Sequence, residues 1–328
     1  MHAPRTTDRV AARYVIALSL AGLLLSAGPA PAQDAKEKAA AASLANYKRL
    51  KIRGFNVLVH NDVLENNKDP RWRRKPLEVL DLELGTIDRV LPTRTVNALR
   101  RILVWVEWED KDDPDHRRAV AKYYGVIGTR ALWTFSARKH PGKANNVEII
   151  NMRSLTREHQ PGVKFERCVL LHELSHAVHH QLFGAHNPAI RAAYRQAMER
   201  KLYERTTDVY GRRRRPYAAV NEREYFAELS CAYLDKLHYH PFNHEELRKH
   251  DPVGYRLMEL VWGTRQRLEA AQKIKRESEA SGKILAARRL HTSGRTGPAR
   301  EALRRIVDGY PGTRAAAEAG SLLEKWKE

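Results

Sequence analysis

Cysteine is almost missing from this chain: Cys168 and Cys231 are the two in 328 residues. Two thiols exclude a disulfide-stapled scaffold. One bridge is the most they allow, and two buried thiols are the plainer expectation. Acidic side chains are in deficit too. Lysine and arginine outnumber aspartate and glutamate 59 to 39, a formal charge of +20. Such a balance favours anionic partners. The basic residues are spread from end to end, however, and no aromatic-basic motif accompanies them, so no nucleic acid is expected as a partner. After residue 28 no apolar run is long enough to cross a bilayer.

The one long apolar run comes first. Arg5, Arg9 and Arg13 precede the 14 residues Val15 to Gly28, and Ala30-Pro31-Ala32 follows with small residues suited to cleavage. This is the layout of a signal peptide, so residues 1–32 are set apart from the fold and the protein is expected to be exported, periplasmic or secreted. No cysteine stands at the cleavage point to take a lipid. Contact with a membrane is expected only if the segment stays uncleaved as an anchor.

Apolar residues make up 42% of the chain, enough for a packed core. Residues 33–46 are rich in alanine and lysine and read as a linker. Residues 54–60, 101–109, 131–137 and 146–151 read as short strands. Leu77, Leu80, Leu84, Ile87 and Leu91 recur at helical spacing over 76–91 and stop at Pro92. From residue 165 the pattern stays helical, over 165–183, 187–204, 219–236, 244–250 and 252–278, with a loop at 205–218. A small mixed sheet followed by helices is an α+β layout, here spanning residues 47–280. Residues 283–328 place Ala287, Leu290, Ala299, Leu303, Ile306, Ala316, Ala319 and Leu323 as in a short tetratricopeptide-like unit. No second copy exists, so the unit must pack on the main domain or dock a protein partner.

The chemistry concentrates at 168–180, CVLLHELSHAVHH, where four histidines and a glutamate crowd nine residues. His172-Glu173-Leu174-Ser175-His176 is H-E-x-x-H. On a helix, residues four apart share a face, so both imidazoles can reach one ion. Glu173 lies about 100° round the helix from His172, placed as a base beside the ion and not as a ligand. The plain alternative is a charged, histidine-rich helix face.

A third ligand decides between these readings. Continuation as H-x-x-G-x-x-H fails, because His179 and Leu182 occupy the required glycine and histidine positions. His179 and His180 lie too far along the same helix to close a tetrahedron with His172 and His176, and read as supporting or surface residues. The other candidate is NEREYFAELS, residues 221–230, whose Glu224 lies 48 residues beyond His176. Glu224 and Glu228 share a helix face, and Glu222 points elsewhere. The alternative is a pair of solvated helix acids.

Here the chain resembles a known family. PYAAVNEREYFAE (216–228) together with LLHELSHAVHH is similar to the catalytic domain of anthrax lethal factor and related bacterial gluzincin peptidases, over roughly residues 165–235. The resemblance implies a zincin-like fold, a Zn2+ cofactor held by His172, His176 and Glu224, and Glu173 as general base. It implies that Glu228 orients a ligand histidine and that Tyr217 acts near the metal on the oxyanion or the leaving amine. An ordinary packed tyrosine is the alternative for Tyr217. The strand at 146–151 resembles the one lying along the cleft in that family. The expected activity is hydrolysis of a peptide or protein substrate by an exported zinc metalloendopeptidase. A catalytically weak peptide- or cell-wall-binding protein is the competing reading, which the intact Glu173 disfavours. A structural zinc site is disfavoured because it would need a fourth Cys or His ligand. The run Arg212 to Arg215 reads as a solvated loop, or as a positive rim suited to acidic substrates.

Overall fold

The computed structural model describes residues 44–136, 139–163 and 167–326. The expected signal peptide lies outside the described residues, as does most of the expected linker.

The sheet begins with a hairpin. β1 (Tyr47–Ile52) and β2 (Phe55–His60) run antiparallel, joined by Arg53 and Gly54 at φ +50 and +83. A two-residue connection with both φ values positive matches the right-handed twist of the flanking strands. Arg53 is held in this unusual conformation by Asp81, with Nε 2.7 Å from Oδ1. α1 (Asn61–Asn66), α2 (Pro76–Val90) and α3 (Thr93–Leu99) follow, then β3 (Val104–Val106), β4 (Ala121–Tyr123), α4 (Gly128–Ser136), β5 (Val147–Ile149) and α5 (Met152–Glu158). The strand order is β1-β2-β3-β5-β4, parallel between β2, β3 and β5 and antiparallel at both edges.

Alternation along the strands sorts the two faces of this sheet. Val57, Val59, Val104, Val106, Val147 and Ile149 enter the main core with Leu80, Leu84 and Ile87 of α2. Leu58, Trp105, Glu148 and Lys122 form a row across the strands at the intervening positions. Beside that row the charge is internally matched: Lys143 bonds Glu107 at 3.0 Å and also bonds Glu148, while Lys122 bonds Asp113 at 2.6 Å.

The helical half comprises α6 (Val169–Val178), α7 (Pro188–Glu199), α8 (Glu222–Tyr233), α9 (His244–His250), α10 (Pro252–Trp262) and α11 (Arg265–Thr292). α6 is packed between α2, β4 and α8, which places it against the sheet edge. A π-turn, His179–Phe183, extends α6. This succession of a small mixed sheet and then helices is a zincin-like topology. No described helix is long and apolar enough to cross a membrane.

The structure departs from the sequence-based expectation in several places. Residues 131–136, expected as a strand, belong to helix α4. A short apolar run does not distinguish strand from helix, and Ala131 and Leu132 are exposed with no neighbouring strand. β1 and β4 were not anticipated: β1 reads Tyr-Lys-Arg-Leu-Lys-Ile, too basic for a buried strand, and β4 has three residues. The expected helix 252–278 is two helices, divided at Gly263, whose φ of +94 requires glycine. The loop at 205–218 contains a small ribbon, Thr206–Thr207 paired with Arg213–Arg214, and enters a 3-10 turn at Tyr217–Ala219.

At the C-terminal end α12 (Thr296–Gly309) and α13 (Arg314–Lys325) pack on the second half of α11. Ala280, Ile284, Ala287, Leu303, Ile306, Ala315, Ala319 and Leu322 form a separate small core. The first half of α11 is fastened to α2 through Lys275, which donates to the carbonyl of Leu91 at 2.8 Å and to that of Asp88. α11 thus runs without a break through residues 280–283.

Candidate metal centre

Two helices build the centre. α6 is almost wholly buried, with Leu170, Leu171 and Leu174 in the core, and this fixes its rotation. His172 and His176 then project together, their rings 4.7 Å apart at 85°. α8 is capped by Asn221, whose side chain accepts from the N–H groups of Arg223 and Glu224 at 2.9 and 3.0 Å. This N-cap sets the helix entry, so Glu224 and Glu228 face α6.

The donor atoms converge. His172 Nε2 lies 3.2 Å from Glu224 Oε2, His176 Nε2 lies 3.1 Å from the same oxygen, and the two Nε2 atoms are 3.1 Å apart. Two bonds of about 2.0–2.1 Å at a tetrahedral angle separate their ligand atoms by roughly 3.3 Å. The three separations are therefore close to the edge length of one coordination tetrahedron, with the donor atoms at three of its corners. Two imidazoles and a carboxylate suit a divalent ion such as Zn2+. The cluster thus has the capacity to bind a divalent metal.

Behind the donors runs a hydrogen-bonded chain. Glu228 Oε1 is 2.7 Å from His172 Nδ1. A carboxylate there keeps the proton on Nδ1 and leaves the Nε2 lone pair for an ion. The other Glu228 oxygen accepts from the hydroxyl of Tyr239, which in turn accepts the backbone N–H of Tyr217 at 3.1 Å. Tyr239 is a site residue that the sequence reading missed. It lies between two histidines outside any motif, and only the fold brings it to Glu228.

Charge follows this geometry. Burial opposes ionisation of Glu224, but its hydrogen bonds to His172 and His176 outweigh it and hold the carboxyl well below its usual range. Burial likewise opposes a charge on His172, yet hydrogen bonding by Cys231, Glu224 and Glu228 pushes its pKa well up. For Tyr217, burial and then the nearby Glu224 raise the phenol, which stays a hydrogen-bond donor.

A cleft of about 780 Å³ opens onto the cluster, lined by His172, Glu173, His176, Tyr217 and Glu224 among others. Glu173 is 8% exposed, and its carboxylate has no hydrogen bond or ion pair among the described residues. Tyr217 is half exposed, its ring 6.0 Å from that of His172. β4 forms one wall through Ala121, Lys122 and Tyr123. Lys122 pairs with Glu148, and Val120 and Tyr124 bond Ile150 and Asn146 at the two ends of β5, so Ala121 and Tyr123 turn their backbone groups away from it. The strand bordering the cleft is therefore β4. The strand at 146–151 is interior, because β5 is flanked by β3 and β4.

Other candidates take no part in the cluster. His179 is buried against Phe226, ring centroids 5.1 Å apart, and burial lowers its pKa to about 4. His180 bonds Tyr123 through Nδ1 at 2.9 Å and so ties the π-turn to β4. Cys168 and Cys231 are free and buried. Asp110, Asp113 and Glu148 also come close together. Ammonium groups already fill that second cluster, with Lys139 2.6 Å from Asp110 and 3.2 Å from Asp113. Comparison with protein-family models, curated proteins and solved structures finds no match to this chain.

Proposed function

We propose that the protein is a zinc metallopeptidase of gluzincin type, with His172, His176 and Glu224 as metal ligands. One observation carries this reading: three donor atoms within 3.2 Å of one another, the first steadied by Glu228 from behind. When bound, the ion supplies Lewis acidity and activates water near neutral pH. The remaining work falls to the chain. Glu173, ungripped by other side chains, accepts a proton from the attacking water and delivers it to the departing amine. Tyr217 donates a hydrogen bond to the oxygen that gains charge as the carbonyl is attacked. Water adds across the peptide bond, leaving a carboxylate and an amine.

The outward backbone groups of Ala121 and Tyr123 support a peptide substrate, since an extended chain can add to such an edge as a further strand. The apolar leader at 15–28 supports export, and α12 and α13 with the end of α11 serve as a tetratricopeptide-like docking unit. The test is digestion of a mixed peptide library by the purified, zinc-supplied chain, read by mass spectrometry beside Glu173→Gln. Cuts made by the wild type and absent from the variant are the expected result. Binding of peptides without cutting would replace the peptidase with a peptide-binding protein.

A further inference from the structure

The same cleft carries a set of cations that the catalytic reading does not use. Arg118 enters it from the turn before β4, Arg214 and Arg215 from the segment leading to Tyr217, and Lys236 from the turn after α8. Their charge is largely uncommitted. The side chains of Arg118 and Lys236 form no hydrogen bond or ion pair among the described residues. Arg214 has Asp208 at 3.8 Å, but Arg212 already holds that carboxylate at 2.8 Å. Arg215 donates to the carbonyl of Ala219 at 3.0 Å, a neutral partner.

The other two cations of the lining are matched. Lys122 bonds Asp113 and Asp115 at 2.6 and 2.7 Å, and Arg167 bonds Glu158 at 2.9 Å. The acids of the lining are likewise engaged. Asp115 bonds Lys122, Glu228 bonds His172, and Glu224 belongs to the metal cluster, which leaves Glu173. Four cations from three separate stretches of sequence thus share one cleft, and Arg214 alone of them has a carboxylate partner, one it shares with Arg212. In a cleft with low-dielectric walls such charges reinforce one another and attract an opposite charge.

We propose that this cleft selects peptides bearing aspartate or glutamate side chains beside the scissile bond, through Arg118, Arg214, Arg215 and Lys236. The proposal rests on the peptidase reading for the identity of the substrate. The guanidinium forks suit carboxylates, which they can grip with paired N–H donors.

The experiment uses three peptides of one length, carrying a glutamate pair, a glutamine pair or a lysine pair. Two quantities are read: cleavage by the zinc-supplied wild type, and fluorescence anisotropy of binding to Glu173→Gln. The glutamate peptide is expected to bind about tenfold or more tightly than the lysine peptide at low salt, with the gap closing near ~0.5 M salt. The double reversal Arg214→Glu with Arg215→Glu should invert the order, so that the lysine peptide gains. A damaged fold cannot produce that gain. Equal binding of the three peptides, or an order unmoved by the reversal, overturns the proposal.

Cleavage with no charge preference would overturn it and leave the peptidase standing. Charge-selective binding without any cleavage would leave the selectivity standing and remove the peptidase. Should a single-stranded oligonucleotide of equal charge displace the glutamate peptide and bind more tightly, the occupant is nucleic acid and the proposal fails.

Discussion

The carboxylate of Glu83 accepts a 2.8 Å hydrogen bond from the N–H of Leu170, in the first turn of the helix that carries His172 and His176. Its other oxygen lies 2.9 Å from His159 Nε2, and His159 Nδ1 is 3.0 Å from the carbonyl of Leu155. All of this is buried. A negative group satisfies an N–H that the first helical turn leaves unpaired, and it opposes the positive end of the helix dipole. Glu83 therefore locates α6 from α2. Glu83→Leu strands both Leu170 N–H and His159. It should cost about 3–5 kcal/mol in urea unfolding, with Glu83→Gln costing less. A loss under about 1 kcal/mol would show that the pair does not hold the helix.

Glu173→Gln keeps the shape of the side chain and removes its basicity. Zinc affinity should stay within about threefold of wild type, while turnover falls about 100-fold or more. Isothermal titration and a peptide cleavage assay separate the two. Unchanged turnover would assign the proton transfer to another group.

Glu224 and Glu222 provide a matched pair on one helix. Glu224 touches both histidine Nε2 atoms, and Glu222 takes no part in the cluster. Glu224→Ala should weaken zinc binding far more than Glu222→Ala, read by competition with a chelating dye. Equal losses would mean that the third ligand is wrongly chosen.

Glu228 contacts His172 and stands outside the donor cluster of His172, His176 and Glu224. Glu228→Ala frees Nδ1 of its 2.7 Å partner and leaves the Tyr239 hydroxyl without its acceptor. Zinc affinity should fall about 10–100-fold, the usual cost of losing such support. Tyr239→Phe should give a smaller loss in the same direction. No change in either variant would leave the hydrogen-bonded chain without a role in metal binding.

Asp113 gives the pH dependence a definite sign. Burial opposes its charge, but hydrogen bonds from Lys122 and the Asp115 N–H, with Lys139 nearby, bring its pKa down from 3.8 to about 2. The folded value lies below the unfolded one. Its stabilisation is therefore present above pH ~4 and is lost as the pH falls through ~2. Asp113→Asn should lower stability at pH 7 by roughly 2 kcal/mol, and the gap from wild type should narrow across that window. A gap independent of pH in urea unfolding would attribute the loss to packing.

The helical face of the centre was legible because helical period is local. H-E-x-x-H and the four-residue step from Glu224 to Glu228 state which side chains share a face, whatever the fold. The same locality hid β4. Ala-Lys-Tyr is too short to show alternation, and it is a strand only because β5 is there to pair with it. It hid Tyr239 and Glu83, which act across 11 and 87 residues of sequence. It misread α4, where a short apolar run fits either period.

By itself the sequence determined the chemistry on offer: two imidazoles a turn apart with a carboxylate beside the first, a second acid-bearing helix, and an excess of positive charge. Helix rotation follows from which residues are apolar, and that is written in order along the chain. Only the tertiary structure decided that the two helices meet with three donor atoms within 3.2 Å. It alone decided which strand borders the cleft, and which of 59 cations share it. Those outcomes depend on the packing of α6 between α2, β4 and α8, a sum of contacts between residues far apart in sequence that no local pattern encodes.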